Sequence, residues 1–193
     1  MQGRPQLSES SARGDVGAGG VAELIDRLTR VVPDWPEPGV VFRDLTPLLA
    51  DADALHTISD ACAGAVHALG DVDVVVGVES RGFWIGPALA MRLGVGFVPV
   101  RKAGKLPGPV HSAEYALEYG TATLEVGTSL IQPGERVLVV DDVLATGGTM
   151  GAADELVRAC RATTAGALVL IEIAALGGRE RLDPLPVVSL RSY

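Results

Sequence analysis

Two adjacent carboxylates, Asp141 and Asp142, end an apolar run and are followed by Ala145, Thr146, Gly147, Gly148 and Thr149. Glycines let a main chain approach an anion closely, and threonine hydroxyls add donors. A helix opening near Thr149 would turn its unsatisfied N–H groups and positive dipole end toward the same point. A phosphate touching the two acids would be repelled, so the acids suit neutral hydroxyls beside it. Together these groups fit a sugar phosphate, and ribose 5-phosphate carries both functions. The plainer alternative is an ordinary strand-to-helix turn with Asp near its start. That turn requires neither paired acids nor Thr-Gly-Gly-Thr. The Gly-Lys-Ser/Thr ending of a triphosphate-hydrolysing loop is missing, which argues against that chemistry.

Positive charge for such a ligand must be local, because 24 Asp and Glu outnumber 16 Lys and Arg for a net charge of −8. That balance disfavours a nucleic-acid or anionic-membrane partner. Glu79-Ser80-Arg81 follows a second apolar run, and the planar fork of Arg81 matches phosphate oxygens. Arg101, Lys102 and Lys105 form a third group. Arg81 as a strand-end residue and Lys105 as part of a solvated charge run are the plain alternatives. His56, His67 and His111 show no metal-ligand spacing, and no protein metal ligand is assigned. Cys62 and Cys160 lie on apolar helix-like stretches, as expected of buried thiols in a reduced, cytoplasmic compartment. With no apolar run near 18 residues and no secretion-signal pattern, the chain is expected to be soluble.

The elements that must position these groups follow from periodicity. Residues 1–20 are polar, glycine-rich and aperiodic, and are expected to form a disordered tail. Residues 21–193 are of a length for one domain. Helical spacing runs over 21–32, 54–69 and 85–93, and again through Ala153, Leu156, Val157 and Cys160. Strands are predicted at 72–78, 95–100, 137–140 and 167–173. This alternation gives an α/β fold with an open, mainly parallel sheet and flanking helices. The stretch 102–134 breaks the alternation and reads as a long projecting hairpin, a form often used as a lid.

The acid pair with Ala-Thr-Gly-Gly-Thr resembles the diphosphoribosyl-binding motif of the type I phosphoribosyltransferases. Pro38-Gly-Val-Val-Phe-Arg-Asp44, Glu79-Ser-Arg-Gly-Phe83, Arg101-Lys-Ala-Gly-Lys-Leu-Pro-Gly108 and Leu117-Glu-Tyr-Gly120 stand in the order and spacing of the family's adenine-using members. The resemblance covers about residues 21–193. It implies the type I phosphoribosyltransferase fold, with a hood segment near the N-terminus and a flexible hairpin lid. It also implies transfer of 5-phosphoribosyl from diphosphoribose (PRPP) to adenine in purine salvage, giving AMP and pyrophosphate, with Mg2+ as cofactor and a homodimer as the assembly.

Residue roles carried over by resemblance are as follows. Asp141, Asp142, Ala145, Thr146, Gly147, Gly148 and Thr149 bind PRPP or AMP, and Glu79, Ser80, Arg81, Arg101, Lys102 and Lys105 serve the pyrophosphate. Arg81 and Lys105 also count as catalytic. Glu118 hydrogen-bonds the purine and assists movement of the N9 proton, while Tyr119 orders PRPP and shields the centre. Val41 and Arg43 read adenine through main-chain groups, Phe42 stacks on the base, and Ile173 lies opposite. The peptide between Glu79 and Ser80 is expected to be cis. Phe42 as a core aromatic and Arg43 as an exposed turn residue remain alternatives. So do an oxopurine phosphoribosyltransferase, which the Val41-Phe-Arg43 segment disfavours, and a non-catalytic PRPP-sensing regulator. Such a regulator usually brings a nucleic-acid-binding element, for which the chain has no basic face.

Overall fold

The valine run Val74–Val78 forms a strand with every residue buried. Its alternate side chains serve two separate cores. Val74, Val76 and Val78 pack with Ala153, Leu156 and Val157 on one face, whereas Val75 packs with Ile25, Ile58 and Leu89 on the other. A strand covered on both sides needs no polar alternation, which is why it reads as a continuous apolar run.

The computed structural model describes residues 18–117 and 120–193. In chain order they form α1 (Ala18–Leu28), β1 (Arg30–Pro33), β2 (Val41–Asp44), α2 (Thr46–Ala50), α3 (Ala52–Val66), β3 (Val74–Val78) and α4 (Gly82–Leu93). Then come β4 (Gly96–Lys102), β5 (Val110–Leu117), β6 (Gly120–Gly127), β7 (Arg136–Leu144), α5 (Gly148–Ala159), β8 (Thr163–Glu172), α6 (Gly178–Leu182) and β9 (Val187–Ser192). Seven strands make one sheet in the order β5-β6-β4-β3-β7-β8-β9. The five from β4 to β9 run parallel, while β5 and β6 form an antiparallel hairpin attached to β4. This is the open, mainly parallel α/β sheet with flanking helices that the periodicity implied. β1 and β2 form a separate two-stranded ribbon.

Several boundaries differ from the sequence reading. Residues 18–20, assigned to the tail, are the first turn of α1, and residues 1–17 lie outside the described residues. The first helix ends at Leu28, not at Val32. Val31 and Val32 belong to β1 and pair with Arg43 and Phe42. Adjacent β-branched residues before a proline fit an extended edge better than a helix end. β9 was not anticipated, because Val-Val-Ser-Leu-Arg-Ser is only partly buried and carries no clean alternation. The cis peptides among the described residues are Trp35–Pro36 and Asp183–Pro184, so the expected cis bond at Glu79–Ser80 is not found. The sharp exit from β3 is made instead by Ser80 at a φ of 84°.

Candidate active site

β7 runs on to Leu144, so Asp141 and Asp142 belong to the strand itself. Leu138 and Val140 pack on the α4 side, and so does Val143. Pairing with β8 keeps one register from Leu138 to Leu144, and both acids line one cavity. Asp142 is 2% exposed, and its N–H donates to Asp141 Oδ1 at 2.9 Å. Burial, followed by the charge of Asp142, pushes the Asp141 carboxyl well above the usual range. Burial also raises Asp142, against the opposing charge of Arg81. Arg81 Nη1 lies 3.0 Å from Asp142 Oδ2, yet among the described residues that oxygen accepts no hydrogen bond. The contact is one of charge against charge.

After β7 the chain turns through Gly147 at a φ of 79° into α5, whose N-terminus has no side-chain cap. Its first N–H groups are therefore open to an anion. A Cβ on Gly147 would sit 2.8 Å from the Gly178 carbonyl oxygen, and one on Gly178 would strike the Ala145 oxygen. The loop is thus pressed against the first residue of α6, which fixes its shape from behind. In front of it is a cavity of about 340 Å³ lined by Glu79, Ser80, Arg81, Lys102, Tyr115 and residues 141–150.

Glu79, Arg101, Lys102 and Lys105 meet at the adjacent ends of β3 and β4. Glu79 accepts from the Lys102 N–H at 3.0 Å, from Arg101 Nε at 3.3 Å and from Lys105 Nζ. Burial alone would raise the Glu79 carboxyl, but these donors and charges outweigh it and hold it below its ordinary value. Glu79 spends its oxygens on the basic residues, so it aims cations and is not turned to an anion itself.

The ribbon approaches from the other side of Arg81. Phe42 packs on Trp35 with centroids 4.4 Å apart, and the Arg81 guanidinium stands 5.7 Å from the Phe42 ring. A second cavity of about 410 Å³, lined by Trp35, Phe42, Asp44, Trp84 and others, shares Ser80 and Arg81 with the first. The Val40 oxygen accepts from the Trp35 N–H at 3.2 Å and so faces the β1 side, which makes the next pair, Pro33 with Val41, the non-hydrogen-bonded one. Alternation then gives Phe42 to Val32 and leaves the main-chain groups of Val41 and Arg43 on the outer edge of β2. The Val41 side chain is 57% exposed, and Arg43 reaches away to stack on Tyr193. Ile173 follows β8, with its N–H on the Leu144 oxygen at 2.9 Å, and lines neither cavity.

Of the expected site residues that are described, most gather in three groups around Arg81, whereas Val41, Arg43 and Ile173 line neither cavity. Glu118 and Tyr119 lie outside the described residues. The sequence reading missed Tyr115 and Trp84. Tyr115 shares a strand face with buried Ala113, a signal that the lid's alternation contained. Among the described residues no group of three or more His, Cys, Asp or Glu could hold a metal ion, and no helix is long and apolar enough to cross a membrane.

Comparison with known proteins agrees with this geometry. The model of the phosphoribosyl transferase domain matches residues 51–190. An adenine phosphoribosyltransferase of Mycolicibacterium vanbaalenii is 54% identical over 171 residues, covering 88% of this chain and 97% of the relative. The crystal structure of adenine phosphoribosyltransferase from Thermoanaerobacter pseudethanolicus superposes with a TM-score of 0.86 at 43% identity, covering 89% of this chain and 99% of that one. That of the Saccharomyces cerevisiae enzyme, complexed with an imino-altritol bisphosphate and adenine, gives 0.85 at 39% identity with the same coverage. With the acid pair, the glycine loop and the ribbon in place and these matches over most of its length, the chain belongs to the adenine phosphoribosyltransferase family.

Proposed function

We infer that this chain transfers the 5-phosphoribosyl group of PRPP to N9 of adenine, forming AMP and releasing pyrophosphate in purine salvage. The observation that carries this reading is the meeting of two cavities at Ser80 and Arg81, one suited to a sugar phosphate and the other walled by aromatic rings. Breaking the C1–O bond to pyrophosphate builds positive charge on the ribose, as in glycoside cleavage. The site's task is to hold both reactants in line, steady the departing anion and keep water away.

In this reading the amides of residues 145–149 and the hydroxyls of Thr146 and Thr149 hold the 5′-phosphate, while Asp141 and Asp142 accept from the ribose hydroxyls. Arg81, Arg101, Lys102 and Lys105 face the pyrophosphate, with Ser80 at the turn and Glu79 aiming the cations. The outer edge of β2 offers the Val41 C=O to the adenine amino group and the Arg43 N–H to N1, with Phe42 against the ring. Oxopurines reverse that pattern and would leave groups unpaired, at about 1–3 kcal/mol each. Ile173 bounds the base from the β8 end. Glu118 takes the N9 proton as the new C1–N9 bond forms, and Tyr119 covers PRPP when the β5–β6 hairpin closes as a lid.

Magnesium fits this pocket, because two hard carboxylates beside a phosphate cradle suit an ion that keeps several waters and takes most other ligands from its substrate. Bound with PRPP, it would neutralise pyrophosphate charge beside Asp141 and Asp142. We also propose one catalytic domain from residue 18 onward, a cytoplasmic location in keeping with the free buried Cys62 and Cys160, and a homodimer. Trp84 and Met91, seven apart on α4 and 43% and 84% exposed, give a dimer an apolar face to cover.

The test is magnesium-dependent conversion of adenine and PRPP to AMP and pyrophosphate, run beside hypoxanthine, guanine and xanthine. One AMP per pyrophosphate with adenine alone is expected. Product from an oxopurine instead would overturn the base assignment.

A further inference from the structure

Tyr193 follows β9 and plays no part in the chemistry above, yet it joins the two sides of the proposed base site. Its ring lies beneath Arg43, whose guanidinium carbon is 3.4 Å from the ring centroid. Its hydroxyl donates to Asp26 Oδ1 at 2.7 Å, and Arg191 Nε donates to the same oxygen at 3.0 Å. Arg191 also approaches the ring, at 4.9 Å. The main chain is engaged as well. The Tyr193 N–H donates to the Glu172 oxygen, and the Ala174 N–H donates to the Tyr193 oxygen, both at 2.9 Å.

We propose that Tyr193 is a positioning residue for adenine: its ring seats Arg43 of β2, and its peptide seats the turn that follows Ile173. The proposal rests on the base assignment made above. A two-stranded ribbon is marginally stable alone, and among the described residues the outer edge of β2 has no neighbouring strand. A donor and acceptor can discriminate purine edges only when their directions are held closely. The Arg30–Asp44 pair at 2.6 Å and the Trp35–Phe42 contact tie the ribbon to itself. Arg43 instead reaches out of the ribbon to the main sheet. A planar guanidinium stacked on a ring resists both sliding and tilting, and the bond to Asp26 fixes the plane of that ring.

The experiment measures initial rates of the full chain with adenine and PRPP varied separately, for the wild type, Tyr193→Phe and Tyr193→Leu. Tyr193→Leu is expected to raise the adenine KM roughly tenfold, with kcat and the PRPP KM within about twofold of wild type. Tyr193→Phe keeps the stack but loses the Asp26 bond, and should raise the adenine KM by clearly less than Tyr193→Leu does. An unchanged adenine KM in Tyr193→Leu, a parallel rise in both KM values, or equal impairment of the Phe and Leu variants would each overturn the proposal. If Tyr193→Leu does not fold, Arg43→Lys decides, since it keeps the charge and the main chain but loses the planar stack. A several-fold higher adenine KM is then expected, and a wild-type value overturns the idea. A wild type that makes no AMP from adenine removes the functional reading itself, whereas an active wild type with an indifferent Tyr193→Leu removes only this inference.

Discussion

Asp141 and Asp142 show a site that folding alone would not build, because both carboxyls are raised chiefly by burial and Asp141 also by its neighbour's charge. An acid whose pKa is higher folded than unfolded contributes its stability at low pH. That contribution falls as pH rises from the ordinary aspartate range through the raised value. Asp142→Asn should therefore raise the PRPP KM by roughly tenfold or more while the melting temperature of the ligand-free protein holds or rises by a few degrees. The variant's thermal advantage should be largest near neutrality and vanish as pH falls toward the ordinary aspartate range. Melting curves across pH beside PRPP kinetics check both halves, and a variant less stable than wild type at neutral pH would contradict the argument. Gly147 carries a second residue-scale prediction. Its φ of 79° and the 2.8 Å approach to the Gly178 oxygen make Gly147→Ala cost about 1–3 kcal/mol in urea unfolding and weaken PRPP use. The types of these residues were legible in the sequence. The duty of Glu79 was not, because its partners come from β4 and the loop beyond it.

Among the elements, the strands buried on both faces were legible, since a continuous valine run has few other uses. The ribbon was not. β1 and β2 are four residues each, and Val31 and Val32 continue the helical spacing of α1 by coincidence. The hairpin β5–β6 was visible as a break in alternation, but its attachment to β4 was not. It pairs with that strand through Arg101 with Glu125 and Lys102 with Leu124. Those two β4 residues belong to the basic group gathered on Glu79, so the root of the lid and the pyrophosphate end of the site form one junction. Glu79→Gln should loosen Lys105 and Arg101 together. A several-fold higher pyrophosphate KM in the reverse reaction is expected, with little change in the adenine KM, in keeping with the modest strength of partly exposed ion pairs. An unchanged pyrophosphate KM would leave Glu79 without its proposed duty.

Across the whole molecule, the phosphate loop is braced from the far edge of the sheet. Glu172, 5% exposed, accepts from Arg179 at 2.9 and 2.5 Å and from Ser189 at 2.9 Å, and Arg179 also donates to the Val187 oxygen at 2.7 Å. This ties β8, β9 and α6 together behind Gly178, the residue pressed against the loop. The hydrogen bond from Arg179, ahead of that from Ser189, holds the Glu172 carboxyl below its ordinary value. Its stabilisation is therefore fully present above the ordinary glutamate range and is lost as pH falls through the lowered value. Glu172→Gln should cost about 1–3 kcal/mol near neutrality, less than for a fully buried pair because Arg179 reaches solvent. The deficit should shrink in acid, and denaturant unfolding at two pH values measures it. The amino-acid sequence by itself determined the chemistry: acids, glycines and basic residues at spacings that serve a sugar diphosphate, on strands whose apolar runs demand burial. Only the tertiary structure decided which of these groups meet. Arg81 faces Asp142 because β3 and β7 are neighbours, and Tyr193 lies under Arg43 because the chain leaving β9 ends there. Strand order is set by how the whole chain covers both faces of its sheet, and no local pattern of residues carries that information.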